Sequence, residues 1–121
     1  MTIKEIIDKT DTLKPNQYSA ADKMDWLSDL DGRIMQEVIL RHEHDTVMPE
    51  FSRYTSDSDD LLADDVYCDL YIYYLMAKID FYNAEYVRYN NSSAAFNQVY
   101  ADYARNYHQQ HMPIAGHWKN L

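Results

Sequence analysis

The chain has 121 residues, the length of one ordinary domain, and its 46% apolar and 14% aromatic residues with only two Gly and three Pro exclude an intrinsically disordered chain. A net charge of −9, from 20 acidic against 11 basic residues, argues against duplex DNA or an anionic membrane as the main partner, since Lys and Arg are what hold phosphates. The lone Cys68 leaves no internal disulfide, and no apolar run reaches signal-peptide or membrane-span length, so a soluble intracellular chain in a reducing compartment is expected. The charge is uneven. Residues 1–65 carry 16 acids and 7 bases, residues 66–121 four of each, which makes the first half the solvated half and the second the packing half.

Thr2 three residues before Glu5 has capping-box spacing, and Ile3, Ile6, Ile7 and Thr10 follow on one helical face, so a first helix is predicted over about 2–13. Pro15 restricts Lys14 to extended geometry, which ends that helix and makes 14–18 a turn. Ser19 can cap a second helix over about 19–41, on which Met24, Leu27, Leu30, Ile34 and Val38 recur at steps of three and four. Gly32 inside it marks a bend or a close helix contact.

Residues 44–65 show no sustained period and hold Pro49 and the acidic run Asp57, Asp59, Asp60, Asp64 and Asp65. A loop that long usually binds something or orders on assembly. A third helix over about 66–90 carries two apolar stripes, Val66, Leu70, Tyr73, Tyr74, Ala77, Phe81 and Ala84 beside Tyr71, Leu75, Ile79, Tyr82 and Tyr86. It is therefore either the central helix of a bundle or one sandwiched between subunits. Asn90 to Ser93 breaks the pattern and offers caps to a fourth helix over about 93–111, with Phe96, Tyr100, Tyr103 and Tyr107 on one stripe. Met112-Pro113 stops it, leaving an extended tail over 112–121. The expected fold is all-α: one domain, a four-helix array with a long acidic loop between the second and third helices and an extended C-terminal tail.

No pattern supports catalysis or a bound cofactor. His42 and His44 fall on opposite sides of a helix; His108 and His111 share a face, but only the distant His117 could join them, short of a zinc set. The run from Asp57 to Asp60 opens like a calcium loop, yet Leu61, Leu62 and Cys68 stand where such a loop needs an oxygen ligand, Gly and Glu. Two glycines cannot build a phosphate cradle, and no pair of carboxylates is placed for acid and base work.

Twelve tyrosines, most of them between Tyr67 and Tyr107, are the unusual feature. They either fill the bundle core or form a subunit interface, where Tyr joins apolar area to a polar tip; stacking on single-stranded bases fits less well without interleaved basic residues. Tyr71, Tyr82, Tyr86, Tyr89, Tyr103 and Tyr107, with Met112 and Trp118 of the tail, are the expected interface residues.

Three strings, Lys14-Pro15-Asn16-Gln17-Tyr18-Ser19, Trp26 through Ile34, and Glu85 through Asn91 followed by Phe96-Asn97, resemble small helical proteins of tailed bacteriophages, the head-tail connector or adaptor family. The resemblance spans about residues 3–113. It implies a structural subunit in a homo-oligomeric ring, docked between the portal protein and a tail or stopper protein in the virion neck and made in the bacterial host cytoplasm. DNA would pass the channel of such a ring without specific binding. The rival expectation is a small regulatory or inhibitory module whose acidic face engages a basic protein; a metal-dependent hydrolase using the histidines and the Asp cluster ranks last.

Overall fold

A computed structural model of the chain describes residues 1–42 and 50–111. The fold is all-α. Four helices run α1 Ile3–Leu13, α2 Ala20–Glu37, α3 Cys68–Tyr82 and α4 Tyr86–Gln110, with short 3-10 turns at Ile39–Arg41 and Asp65–Tyr67. Met112, Trp118, the expected tail, residue 43 and residues 44–49 of the expected loop lie outside the described residues.

Local chemistry sets the first two helices where the sequence puts them. The Thr2 hydroxyl accepts from the Glu5 amide at 3.2 Å, and the Ser19 hydroxyl accepts from the Asp22 amide at 3.1 Å. Between them the Asn16 carboxamide oxygen accepts from the Tyr18 amide at 3.1 Å, a side-chain-closed turn behind Pro15. Lys23, buried, reaches back to Asp11 at 2.7 Å and ties α2 to α1.

The α3–α4 break differs from expectation. Asn83 caps α3, Ala84 takes a left-handed φ of 57°, the Ala84 amide donates to the Phe81 carbonyl and the Glu85 amide to the Asp80 carbonyl at 2.9 Å. That pair of bonds is a Schellman stop, with Ala where Gly is usual. Asn90 to Ser93 lie inside α4 instead, because Ser92 serves another purpose: its hydroxyl donates to the buried Asp80 carboxylate at 2.8 Å across the hairpin. Lys14 completes that buried site with its ammonium 2.6 Å from the other Asp80 oxygen.

α3 is the central helix. Leu70, Tyr71, Leu75 and Ile79 are wholly enclosed, against Ile3 and Ile6 of α1, Leu27 and Ile34 of α2, and Phe96 and Tyr103 of α4. The middle of its two apolar stripes is thus covered from within the chain, while their ends, Val66 on one side and Phe81, Tyr82 and Tyr86 on the other, stay exposed. The expected stripe on α4 is real: Phe96 and Tyr103 are buried, and Tyr100 and Tyr107 pack half-buried beside them.

Of the expected loop, residues 50–65 are packed rather than free. The Asp59 and Asp57 carbonyls accept the Ile3 and Lys4 amides at 3.1 and 2.8 Å, so this stretch supplies acceptors that the first turn of α1 lacks internally. Leu61 and Ala63 are buried, and a single antiparallel bridge joins Thr2 to Asp60. Phe51 lies over Gly32, so the glycine's close neighbour is a loop ring and not a second helix.

Candidate interaction surface

The tyrosines expected at an interface divide by the element that carries them. Tyr71 is fully buried and its hydroxyl is an internal linker, donating to Asp31 at 2.7 Å and accepting from the Ala63 amide at 2.9 Å. Tyr103 is buried edge-on against Tyr67, with ring centres 4.9 Å apart. Neither can face a partner. Both sit on the seam between α3 and its neighbours, which a helix covered on both sides places inward. Tyr107 is half-buried and stacks on His111.

Tyr82 and Tyr86 do lie at the surface, with Tyr89 half-buried beside them, gathered at the α3–α4 turn with Phe81 and Val87, which periodicity alone did not mark out as a site. Tyr82 is 54% exposed although it stacks on Trp26 at 5.5 Å; Tyr86 is 60% and Val87 77% exposed. Phe81 touches both Tyr82 and Tyr89, with ring centres 5.3 and 5.5 Å away. The rigidity of the corner comes from the turn beneath it, where the Asn83 carboxamide oxygen accepts from the Tyr18 hydroxyl at 2.7 Å.

Beside this corner α2, α3 and α4 leave a cleft of about 320 Å³. Tyr74, Phe81, Tyr89 and Phe96 wall it, and Lys78 and Arg33 bring positive charge to it. Arg33 is held by both oxygens of Glu37 at 2.8 Å and lies over the Tyr100 ring. The Lys78 ammonium sits 5.5 Å from the Tyr74 ring and pairs with no carboxylate among the described residues. It is the available cation of the site.

The acidic residues lie at the other end of α3. Asp57, Asp60, Asp64 and Asp65 are exposed, while Asp59 turns inward to accept the Thr55 and Ser56 amides. The Met1 ammonium lies 2.9 Å from Asp65 and 3.7 Å from Asp60. Val66, next in the chain, is 83% exposed.

Two further clusters bear on chemistry. Asp31, fully buried on α2, receives the hydroxyls of Tyr54 and Tyr71 and the Leu62 amide. Burial raises its pKa while those three donors oppose the rise, and burial beside Asp31 pushes both phenols far above their ordinary value, so they remain donors. No sequence pattern revealed this carboxylate, because its partners come from residues 54, 62 and 71. Enclosed on every side, it pins the 54–63 segment to α2 and α3. The second cluster is His42, whose Nδ1 donates to the Val38 carbonyl at 2.6 Å and whose Nε2 is 3.4 Å from His108. His111 lies nearby, 6.2 Å from His42 between ring centres. His42, just after the 3-10 turn, is thus the residue seen to meet His108, and His117 lies outside the described residues. Among the described residues no three His, Cys, Asp or Glu side chains are grouped to hold a metal ion, and no helix is long and apolar enough to cross a membrane.

Compared with known proteins, the chain matches no family model, no curated protein and no solved structure.

Proposed function

We propose that this protein works by binding other protein subunits and not by catalysis, as a structural subunit of the head-tail connector kind that its sequence resembles. The observation that carries the reading is the α3–α4 corner. Phe81, Tyr82, Tyr86 and Val87 remain open to solvent on a body whose other large apolar side chains are mostly enclosed. Clustered aromatics on a rigid turn are the usual composition of a protein-binding hot spot. In this reading the partners are further copies of the chain, the portal protein above and a tail or stopper protein below, in the neck of a virion assembled in the host cytoplasm. The acidic surface suits a wall past which DNA slides, since exposed carboxylates repel phosphates.

Light scattering after size-exclusion chromatography, on the chain alone and mixed with the portal protein of the same genome, tests the proposal. A higher-order complex with the portal is expected, weakened when Tyr86 and Val87 are changed to Ser. A strict monomer that never engages the portal would remove the reading. The exposed Asp57, Asp60, Asp64 and Asp65 favour a second reading, an acidic module that occupies a basic partner. Capture of one host protein, released by high salt, with no binding to the portal would support that alternative.

A further inference from the structure

The cationic aromatic cleft and the acidic strip belong to one molecule but cannot meet within it. Lys78 and Val66 are separated by most of the length of α3, roughly 18 Å at 1.5 Å per residue. The two surfaces are nevertheless complementary in kind. The cleft offers the half-buried Lys78, whose ammonium lies 5.5 Å from the Tyr74 ring and has no carboxylate partner among the described residues, with Phe81 and Tyr89 also lining the wall. At the opposite end of the helix, Asp64 and Asp65 stand exposed immediately before Val66, an apolar side chain with almost no cover.

We infer that the Asp64–Val66 segment of one copy docks in the Lys78–Phe81 cleft of the next, Val66 against the aromatic wall and the Asp64 carboxylate toward the Lys78 ammonium. Charge complementarity selects this occupant. In a chain of net charge −9, a cleft whose available cation lies among aromatic walls calls for an acidic segment with one apolar anchor, and the chain carries such a segment itself. Because the joined surfaces are unlike and lie at opposite ends of α3, the contact can repeat head-to-tail, which generates closed rings or open filaments, or close as an antiparallel two-fold pair in which each cleft holds the other's segment. The inference rests on the assembly reading above and specifies the contact between copies.

Charge exchange tests it. Lys78→Glu and Asp64→Lys are each expected to weaken self-association by about tenfold or more, because each sets like charges against one another. Circular dichroism and the thermal midpoint control for folding, both side chains lying outside the core. Mixing the two variants should partly restore association, since the intact cleft of one meets the intact strip of the other; carrying both changes in one chain should restore it as well. Val66→Ser should weaken association without changing its salt dependence. Variants that associate like the unaltered chain, or exchanges that fail to restore binding, overturn the inference. So does association lost only on changing Tyr86 and Val87, which would place the contact on the corner alone. An unaltered chain that stays monomeric at millimolar concentration yet binds the portal overturns this contact and leaves the assembly reading standing; failure of both measurements removes both.

Discussion

Replacing Tyr71 by Phe removes one oxygen from the centre of the protein and should be among its most damaging conservative changes. That hydroxyl donates to Asp31 Oδ1 at 2.7 Å and accepts from the Ala63 amide at 2.9 Å, and the residue is fully buried. Losing a hydrogen bond to a carboxylate costs about 1.5–3 kcal/mol, and leaving a buried amide without an acceptor costs about 1–3 kcal/mol. The two losses share one site and are not fully additive, so about 3–4 kcal/mol is expected, a large share of a stability that is typically about 5–15 kcal/mol for a domain. Tyr54→Phe removes only its single bond to Asp31 from a half-exposed position and should cost about 1–2 kcal/mol. Urea unfolding followed by circular dichroism measures both, and a cycle with Asp31→Asn should reveal coupling of at least about 1 kcal/mol between residues 31 and 71. If Tyr71→Phe stays within about 0.5 kcal/mol of the parent, the network does not pin the 54–63 segment and its assigned role is wrong.

Ala84→Gly should raise stability by about 0.5–1 kcal/mol, since the left-handed φ of 57° strains any side chain; a loss in thermal unfolding would contradict the turn geometry. Gly32→Ala should also stabilise, by up to about 1 kcal/mol, because a new Cβ would meet the Phe51 ring at an ordinary 3.7 Å; urea midpoints compare the two. Lys14→Met strands the Asp80 carboxylate, which is 1% exposed, and should cost about 3 kcal/mol, whereas Lys4→Met on the surface should cost less than about 1 kcal/mol in the same assay. Asp31 supplies a pH test. Its native pKa is raised above 3.8 chiefly by burial, so its contribution is complete below that value and is lost as pH climbs through the raised one. The unfolding free energy of the parent relative to Asp31→Asn should therefore improve as pH falls from about 7 to about 4; a flat or opposite trend would show that its three donors outweigh its burial.

Capping and periodicity were legible wherever an element's signals lie within a few residues of each other. Thr2 with Glu5, Pro15 and Ser19 fixed the ends of α1 and the start of α2, and the step of three and four along Phe96, Tyr100, Tyr103 and Tyr107 marked the inner face of α4. The hairpin break was misplaced for a definite reason. Asn90 to Ser93 look like caps in isolation, but Ser92 donates to Asp80, 12 residues away, whose other oxygen Lys14 holds, and the chain turns at an alanine that has no turn signature of its own. The segment 50–65 has no period because it is ordered by other elements: α1 takes its carbonyls and Asp31 takes its amide and phenol groups.

The candidate site follows the same division. Tyr82, Tyr86 and Tyr89 could be named from composition, but nothing in the alternation of apolar residues separated them from Tyr71 and Tyr103, which the same stripes carry into the core. Local sequence determined that the chain is helical, acidic and tyrosine-rich, because helix caps and amphipathic spacing act over one or two turns. Only the tertiary structure decided which tyrosines face solvent, where the one cation without a carboxylate partner among the described residues of the cleft sits, and that it lies at the far end of α3 from Asp64 and Asp65. Those properties depend on which helix covers which face, and contacts between residues distant in the chain set that.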